Sequence, residues 1–161
     1  MSDNISPLAP TLLAKLPDIA GVTCRVARAQ YKDWDRCDLT FVELAEGTNV
    51  AGVLTQSKCP STEVEWCRKA LIGGKARALV VNAGNANAFT GARGMEAVQR
   101  ILDLASGHLG CSEDEVFVSS TGVIGVPLPK DRAKAGLQAA FTASHCAWEE
   151  AASAIMTTDT F

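Results

Sequence analysis

No stretch of this sequence reads as a basic arm. Its Lys and Arg residues are scattered, among them Arg25, Lys58, Arg68 and Lys75. The formal net charge is -3, which gives no general pull toward nucleic acid or an anionic membrane surface. No apolar run approaches the ~20 residues of a bilayer-spanning helix. The opening MSDNISPLAP has neither a basic n-region nor an apolar h-region. No secretory signal is read there, and a cytoplasmic setting is expected.

Metal and disulfide frameworks are lacking as well. Of the 6 cysteines none forms a CxxC pair, and their spacing is irregular. The nearest metal-like spacing is His108 with Cys111. Its complement would be His145 and Cys146, which are adjacent and so point apart on a helix. No metal and no cofactor is expected, and the cysteines read as reduced thiols. Nucleotide and hydrolase fingerprints fail too. The GGK at 73–75 lacks the P-loop spacing, GNANAFTG at 84–91 is not GxGxxG, and no GxSxG elbow occurs. His108 reads as a packing or helix-end residue, His145 as an exposed residue at a helix start, and Asp159 shows no partner carboxylate.

What is present is an ordinary globular composition. The 161 residues are 47% hydrophobic and 20% charged, enough for one domain with a real core. Residues 20–29 place Val22, Cys24 and Val26 on one face of a strand. LTFVEL at 39–44 is a second strand, and VAGVLTQ at 50–56 reads as its returning hairpin partner after the Glu46–Asn49 turn. Ser61 or Thr62 is placed to cap a helix that Gly73-Gly74 ends, with Val64, Cys67 and Leu71 on its apolar face. ARALVVN at 76–82 is a buried-type strand, residues 95–110 are the clearest amphipathic helix, and VFVSS at 116–120 is a further strand. Two helices follow, one after Pro129 and one over 145–156 with Trp148, Ala151, Ala152 and Ile155 aligned. Strands alternating with helices predict an α/β layered fold.

Two loops are expected to follow two of these strands. In the first, Asn82 to Gly91, three asparagines alternate with small residues. Such a loop is either a conformationally demanding turn or a set of amides near a polar ligand, and spacing alone does not choose. In the second, Thr121 and Gly122 put a hydroxyl and a backbone N–H on adjacent residues. That pair is either a plain turn or two donors for a carbonyl oxygen that becomes an oxyanion.

Three stretches together carry a resemblance. VVNAGNANAFTG (80–91), SSTGVIGVPLP (119–129) and AIMTTDTF (154–161), with VAGVLTQSKCPSTEVEWCRKAL upstream, resemble the ornithine acetyltransferase (glutamate N-acetyltransferase) family of arginine biosynthesis. The likeness runs from about residue 18 to the end. It implies an α/β sandwich of that family's type. It implies transfer of an acetyl group from N-acetylornithine, or acetyl-CoA, to glutamate through an acetyl-threonine. It gives Thr121 (hydroxyl) and Gly122 (backbone N–H) the oxyanion role and Thr157 a contact with substrate. It implies a precursor that cuts itself into alpha and beta chains, which then associate as a hetero-oligomer.

The family's nucleophilic threonine, in an Ala-Thr-Met setting, and its substrate lysine do not occur in residues 1–161. The expectation is therefore an arm at 1–17 and, at 18–161, the alpha-chain part, truncated before the self-cleavage point. Two other readings stay open at this stage. One is a non-catalytic amino-acid-binding module. The other is a self-processing aminopeptidase-like hydrolase.

Overall fold

The computed structural model describes residues 15–159; most of the expected N-terminal arm lies outside the described residues. The chain folds as β1 (Val22–Ala27), β2 (Leu39–Leu44), α1 (Thr62–Ala70), β3 (Ala78–Asn85), α2 (Gly91–Leu109), β4 (Val116–Val123), α3 (Lys130–Thr142) and α4 (Trp148–Ile155). The four strands form one sheet in the order β1-β2-β3-β4. β1 and β2 are antiparallel, as are β2 and β3, while β3 and β4 run parallel. A parallel pair needs a crossover, and α2 supplies it. No helix among the described residues is long and apolar enough to cross a membrane.

Period-2 alternation divides the sheet into two faces. Leu39, Phe41, Val80, Val116 and Val118 form one core with Ala97, Val98, Ile101 and Leu102 of α2 and Ala133, Leu137 and Ala140 of α3. The other face is smaller: Cys24, with Val22, Val26 and Val42, packs on Cys146, Trp148 and Ala151 at α4. The expected α/β sandwich is therefore present, with α1–α3 on one side and α4 on the other. His108 is a packing residue, its ring stacked 3.9 Å from that of Phe141.

β4 is an outer strand, and its outward carbonyls need donors. α1 provides them: Trp66 Nε1 donates to Val116 O at 2.9 Å and the Cys67 thiol to Val118 O at 3.2 Å. Ser61 caps α1 by accepting from Val64 N, as its sequence implies. The face α1 buries is Thr62, Glu63, Cys67 and Ala70, not the expected Val64–Cys67–Leu71 stripe.

Other expectations are corrected. Residues 50–56 form no strand; a single bridge joins Asn49 to Lys75, and Val53 is 99% exposed. Both edges of β2 are already taken by β1 and β3, so no returning hairpin partner fits. α2 begins at Gly91, four residues before the expected start at 95. α4 begins at Trp148 rather than 145, and its buried positions are Ala151 and Ala154, with Ile155 exposed. His145 sits before that helix, where its Nδ1 accepts from Cys24 N at 3.2 Å and its Nε2 lies 3.1 Å from Asp18.

The connection between β1 and β2 is held by one buried carboxylate. Asp38 accepts from Ala29 N (2.6 Å), Gln30 N (3.2 Å) and Tyr31 N (2.7 Å). Asp38→Ala would strand these donors, and we expect it to destabilise the full-length protein by ~3 kcal/mol. A shifted urea midpoint with unchanged slope is the readout; a midpoint equal to wild type would contradict it.

Candidate functional site

β3 and β4 are longer than their apolar runs suggest. The residues expected as loops, from Asn82 and from Thr121 onward, begin as the last turns of two neighbouring parallel strands. Their register pairs Asn82 with Ser120, Ala83 with Thr121, Gly84 with Gly122 and Asn85 with Val123. Hydrogen bonds from Ala86 N to Val123 O and from Gly125 N to Ala88 O, both 2.9 Å, continue the pairing past the strand ends. The carboxyl ends of parallel strands are where open α/β sheets most often bind ligands.

The paired glycines set the geometry there. Gly84 has φ +119° and Gly122 φ +125°, a region that side chains rarely adopt. A Cβ on Gly122 would lie 2.4 Å from the Gly84 carbonyl carbon and 2.6 Å from its oxygen. The two backbones approach as closely as they do because Gly122 carries no side chain, whereas a Cβ on Gly84 would meet Lys32 and Tyr31 instead.

Alternation then sends neighbouring side chains to opposite faces. Ser120 points to the α1 side and Thr121 to the α4 side. On the α4 side, Thr121 and Gly122 line a cleft of about 340 Å³ together with Lys32, Trp34, Gly84, Val123, Thr157 and Thr158. Thr121, Gly122 and Thr157, the site residues expected from sequence, are thus brought to one cleft. Thr157 is placed by the end of α4, and its N–H donates to Asp159 Oδ2 at 3.0 Å. Arg36 ties that end to the β1–β2 connection. Its guanidinium donates to Ser153 O at 2.8 Å and to Met156 O, and stacks 4.2 Å over Trp34.

Lys32 and Trp34 were not singled out by the sequence, which reads YKDWDRC as a polar turn. The Arg36 link joins that turn to the end of α4, and Lys32 packs beside Gly84 at the strand end. A second cleft of similar size is lined by Val26, Arg36, Cys37, Glu149, Glu150, Ser153 and Ala154. It holds none of the expected site residues.

The asparagines of the first loop are resolved as scaffold. Asn82 and Asn85 are 1% exposed and Asn87 0%. Asn82 Nδ2 donates to Asn85 O at 3.0 Å and Asn85 Nδ2 to Val126 O at 3.3 Å. Asn87, at φ +49°, donates to Glu63 Oε1 at 2.7 Å and to Gly94 O at 3.1 Å. These amides hold the strand ends from beneath and do not line the cleft.

One titratable group joins them. Glu63, 3% exposed, has Oε1 2.7 Å from Ser120 Oγ, which in turn lies 2.5 Å from Asn82 Oδ1. Burial pushes the Glu63 carboxyl above its usual range, against hydrogen bonds with Ser120, Asn87, its own backbone and Ser61 that lower it. Burial also raises the thiols of Cys24, Cys67 and Cys111, and that of Cys146 to about 11, so none of these four is a ready thiolate. Among the described residues no group of three or more His, Cys, Asp or Glu is placed to hold a metal ion.

Comparison with known proteins adds independent findings. The ArgJ family profile matches residues 23–161. The arginine biosynthesis bifunctional protein ArgJ of Zymomonas mobilis is 59% identical over 161 residues, covering 100% of this chain. That of Bradyrhizobium diazoefficiens is 51% identical over 162 residues, again covering 100%. This chain spans 39% of the length of each of these two relatives. Among solved structures, ornithine acetyltransferase of Mycobacterium tuberculosis in complex with ornithine superposes with a TM-score of 0.82 at 32% identity, covering 88% of this chain and 78% of that one. ArgJ of Bacillus halodurans superposes with a TM-score of 0.77 at 28% identity, covering 88% and 75%. The profile, the alignments over the whole of this chain and the shared fold agree: the chain belongs to the ArgJ family.

Proposed function

We propose that this chain is the alpha-chain part of a cytoplasmic acetyltransferase of arginine biosynthesis, which moves an acetyl group from N-acetylornithine to glutamate. The observation that carries this reading is the sharing of one cleft by Thr121, Gly122 and Thr157. By this reading the nucleophile is a threonine in the complementary beta chain, freed by self-cleavage of a common precursor, and the two chains work as a hetero-oligomer. Acetyl-CoA is a second donor, in keeping with the word bifunctional in the relatives' names.

The chemistry follows from the groups. The threonine hydroxyl attacks the acetyl carbonyl and gives its proton to a base, such as its own terminal amine. The carbonyl oxygen becomes an oxyanion, which the Thr121 hydroxyl and the Gly122 N–H stabilise as donors. Collapse breaks the amide bond, and the departing ornithine amine takes up the proton. The glutamate amine then attacks the acetyl ester through a second oxyanion in the same place and gives its proton to the base; collapse breaks the ester bond, the threonine oxygen takes that proton back, and N-acetylglutamate leaves. Thr157 contacts the substrate across the cleft.

The experiment is to supply the full-length protein with N-acetylornithine and glutamate. Equal amounts of ornithine and N-acetylglutamate are expected. Free acetate with no acetylated glutamate would favour a hydrolase, and ornithine binding without turnover would favour a non-catalytic binding module.

A further inference from the structure

We propose that Glu63 is a positioning residue of this site: a neutral acid that donates a hydrogen bond to Ser120 and so holds the Thr121–Gly122 backbone in its working geometry. The inference rests on the acetyl-transfer reading above.

Protons are limiting at Ser120. The Ser120 hydroxyl has one, yet it stands 2.5 Å from Asn82 Oδ1 and 2.7 Å from Glu63 Oε1. The Asn82 amide is oriented by its own donation to Asn85 O, 3.0 Å away, so the atom facing Ser120 is an acceptor. Ser120 therefore gives its proton to Asn82. The contact with Glu63 is then a hydrogen bond only if the carboxyl carries the proton. The rest of the carboxyl agrees. Asn87 Nδ2 donates to Oε1, and Oε2 is buried with no partner. A buried anion with one bare oxygen and no cation is costly, whereas a neutral acid is tolerated.

The surroundings supply no compensating charge. On α1 the titratable neighbour is Cys67, whose thiol donates to Val118 O. β3 and β4 carry no titratable side chain along their length. From the segment leading into α2 the facing group is Asn87, itself held by Thr90 and the Gly94 carbonyl, and from the start of α1 it is the neutral Ser61. The acidic and basic residues of α2 face elsewhere, as Glu96 does in pairing with Lys130.

The consequence for the site is direct. Asn82 and Ser120 are register partners, one residue before the Ala83–Thr121 pair and two before the Gly84–Gly122 pair. The chain Glu63–Ser120–Asn82–Asn85 thus clamps both strands on the α1 face, while Thr121 works on the other. Ionising Glu63 would pull the Ser120 proton away from Asn82 and break that clamp without touching the cleft.

The test uses the full-length protein, with kcat and KM for acetyl transfer from N-acetylornithine to glutamate followed against pH. Glu63→Gln keeps a donor toward Ser120 and cannot ionise. Its kcat is expected to persist as pH rises through the range where the wild type declines, with KM unmoved. Glu63→Leu removes the donor, and its kcat is expected to fall about tenfold, the kinetic equivalent of one buried hydrogen bond. Recovery of that loss in Glu63→Gln separates positioning from packing. The infrared C=O stretch of a protonated carboxyl, present in the wild type and missing in Glu63→Gln, reads the neutral acid without relying on activity. Superimposable pH profiles of wild type and Glu63→Gln, or absence of that band, would overturn the inference even with Glu63→Leu unfolded. A wild type that transfers no acetyl group would instead sink the acetyl-transfer reading.

Discussion

Gly122→Ala in the full-length protein is expected to cost ~3 kcal/mol or more of stability and to remove nearly all acetyl transfer. Two penalties act together. Alanine is strained at φ +125°, and its methyl carbon would meet the Gly84 carbonyl carbon at 2.4 Å, its oxygen at 2.6 Å and Asn85 N at 2.9 Å. All three are backbone atoms of a paired strand, so no rotamer change relieves the contact. The strand ends must part, and the register that sets Thr121 beside Ala83 goes with them. A loss of this size is a large share of the 5–15 kcal/mol that holds a typical domain together. Chemical unfolding and a transfer assay on the same preparation measure both effects. Wild-type stability in Gly122→Ala would show that the strands do not approach as described.

Thr121→Ala is expected to behave differently. Thr121 is half-buried on the cleft side, and its alternation away from Ser120 leaves the buried clamp intact. Stability should therefore stay within ~1 kcal/mol of wild type. Transfer should fall by about 10²-fold in kcat, the scale for one lost oxyanion donor. KM should change little, because the hydroxyl is needed most when the carbonyl oxygen carries charge. Thr121→Ser, which keeps the hydroxyl, should recover most of the rate. A loss confined to KM would instead make Thr121 a ground-state contact.

The periodic part of the fold was legible in the sequence. Alternation in VTCRVA and LTFVEL, the cap at Ser61 and the stripe of Val98, Ile101, Leu102 and Ala105 all report local preferences that the core then uses. Residues 50–56 misled because their β-forming composition says nothing about whether a sheet edge is free. Strands β3 and β4 were read short for a related reason. Asn82 to Asn85 and Thr121 to Val123 have turn composition, but a parallel neighbour satisfies their backbones. Of the candidate site, Thr121, Gly122 and Thr157 are singled out through the family resemblance and share one cleft, whereas Lys32, Trp34 and Glu63 are not legible in the sequence. Lys32 and Trp34 reach the cleft through tertiary contacts, Lys32 beside Gly84 and Trp34 under Arg36. The acidic residues of the first turn of α1 look alike in sequence, and only packing against β4 makes Glu63 a buried acid beside Ser120.

That link between strand geometry and chemistry also fixes the sign of a pH effect on stability. Glu63 has a folded pKa raised above its ordinary 4.5. Its neutral form is fully compatible with the fold below 4.5, and stability is then lost as pH rises from there through the raised folded value. Glu63→Gln should therefore gain on the wild type across that window, and a constant difference at all pH values would contradict the assignment.

The cleft formed by Thr121 and Gly122 is proposed to stabilise the oxyanion of acetyl transfer. The most direct measurement is the first turnover. Full-length protein is mixed with N-acetylornithine, without glutamate, and the release of ornithine is timed. A rapid stoichiometric burst is expected in the wild type, and a burst of the same size about 10²-fold slower in Thr121→Ala. A burst of equal rate in both proteins would contradict it.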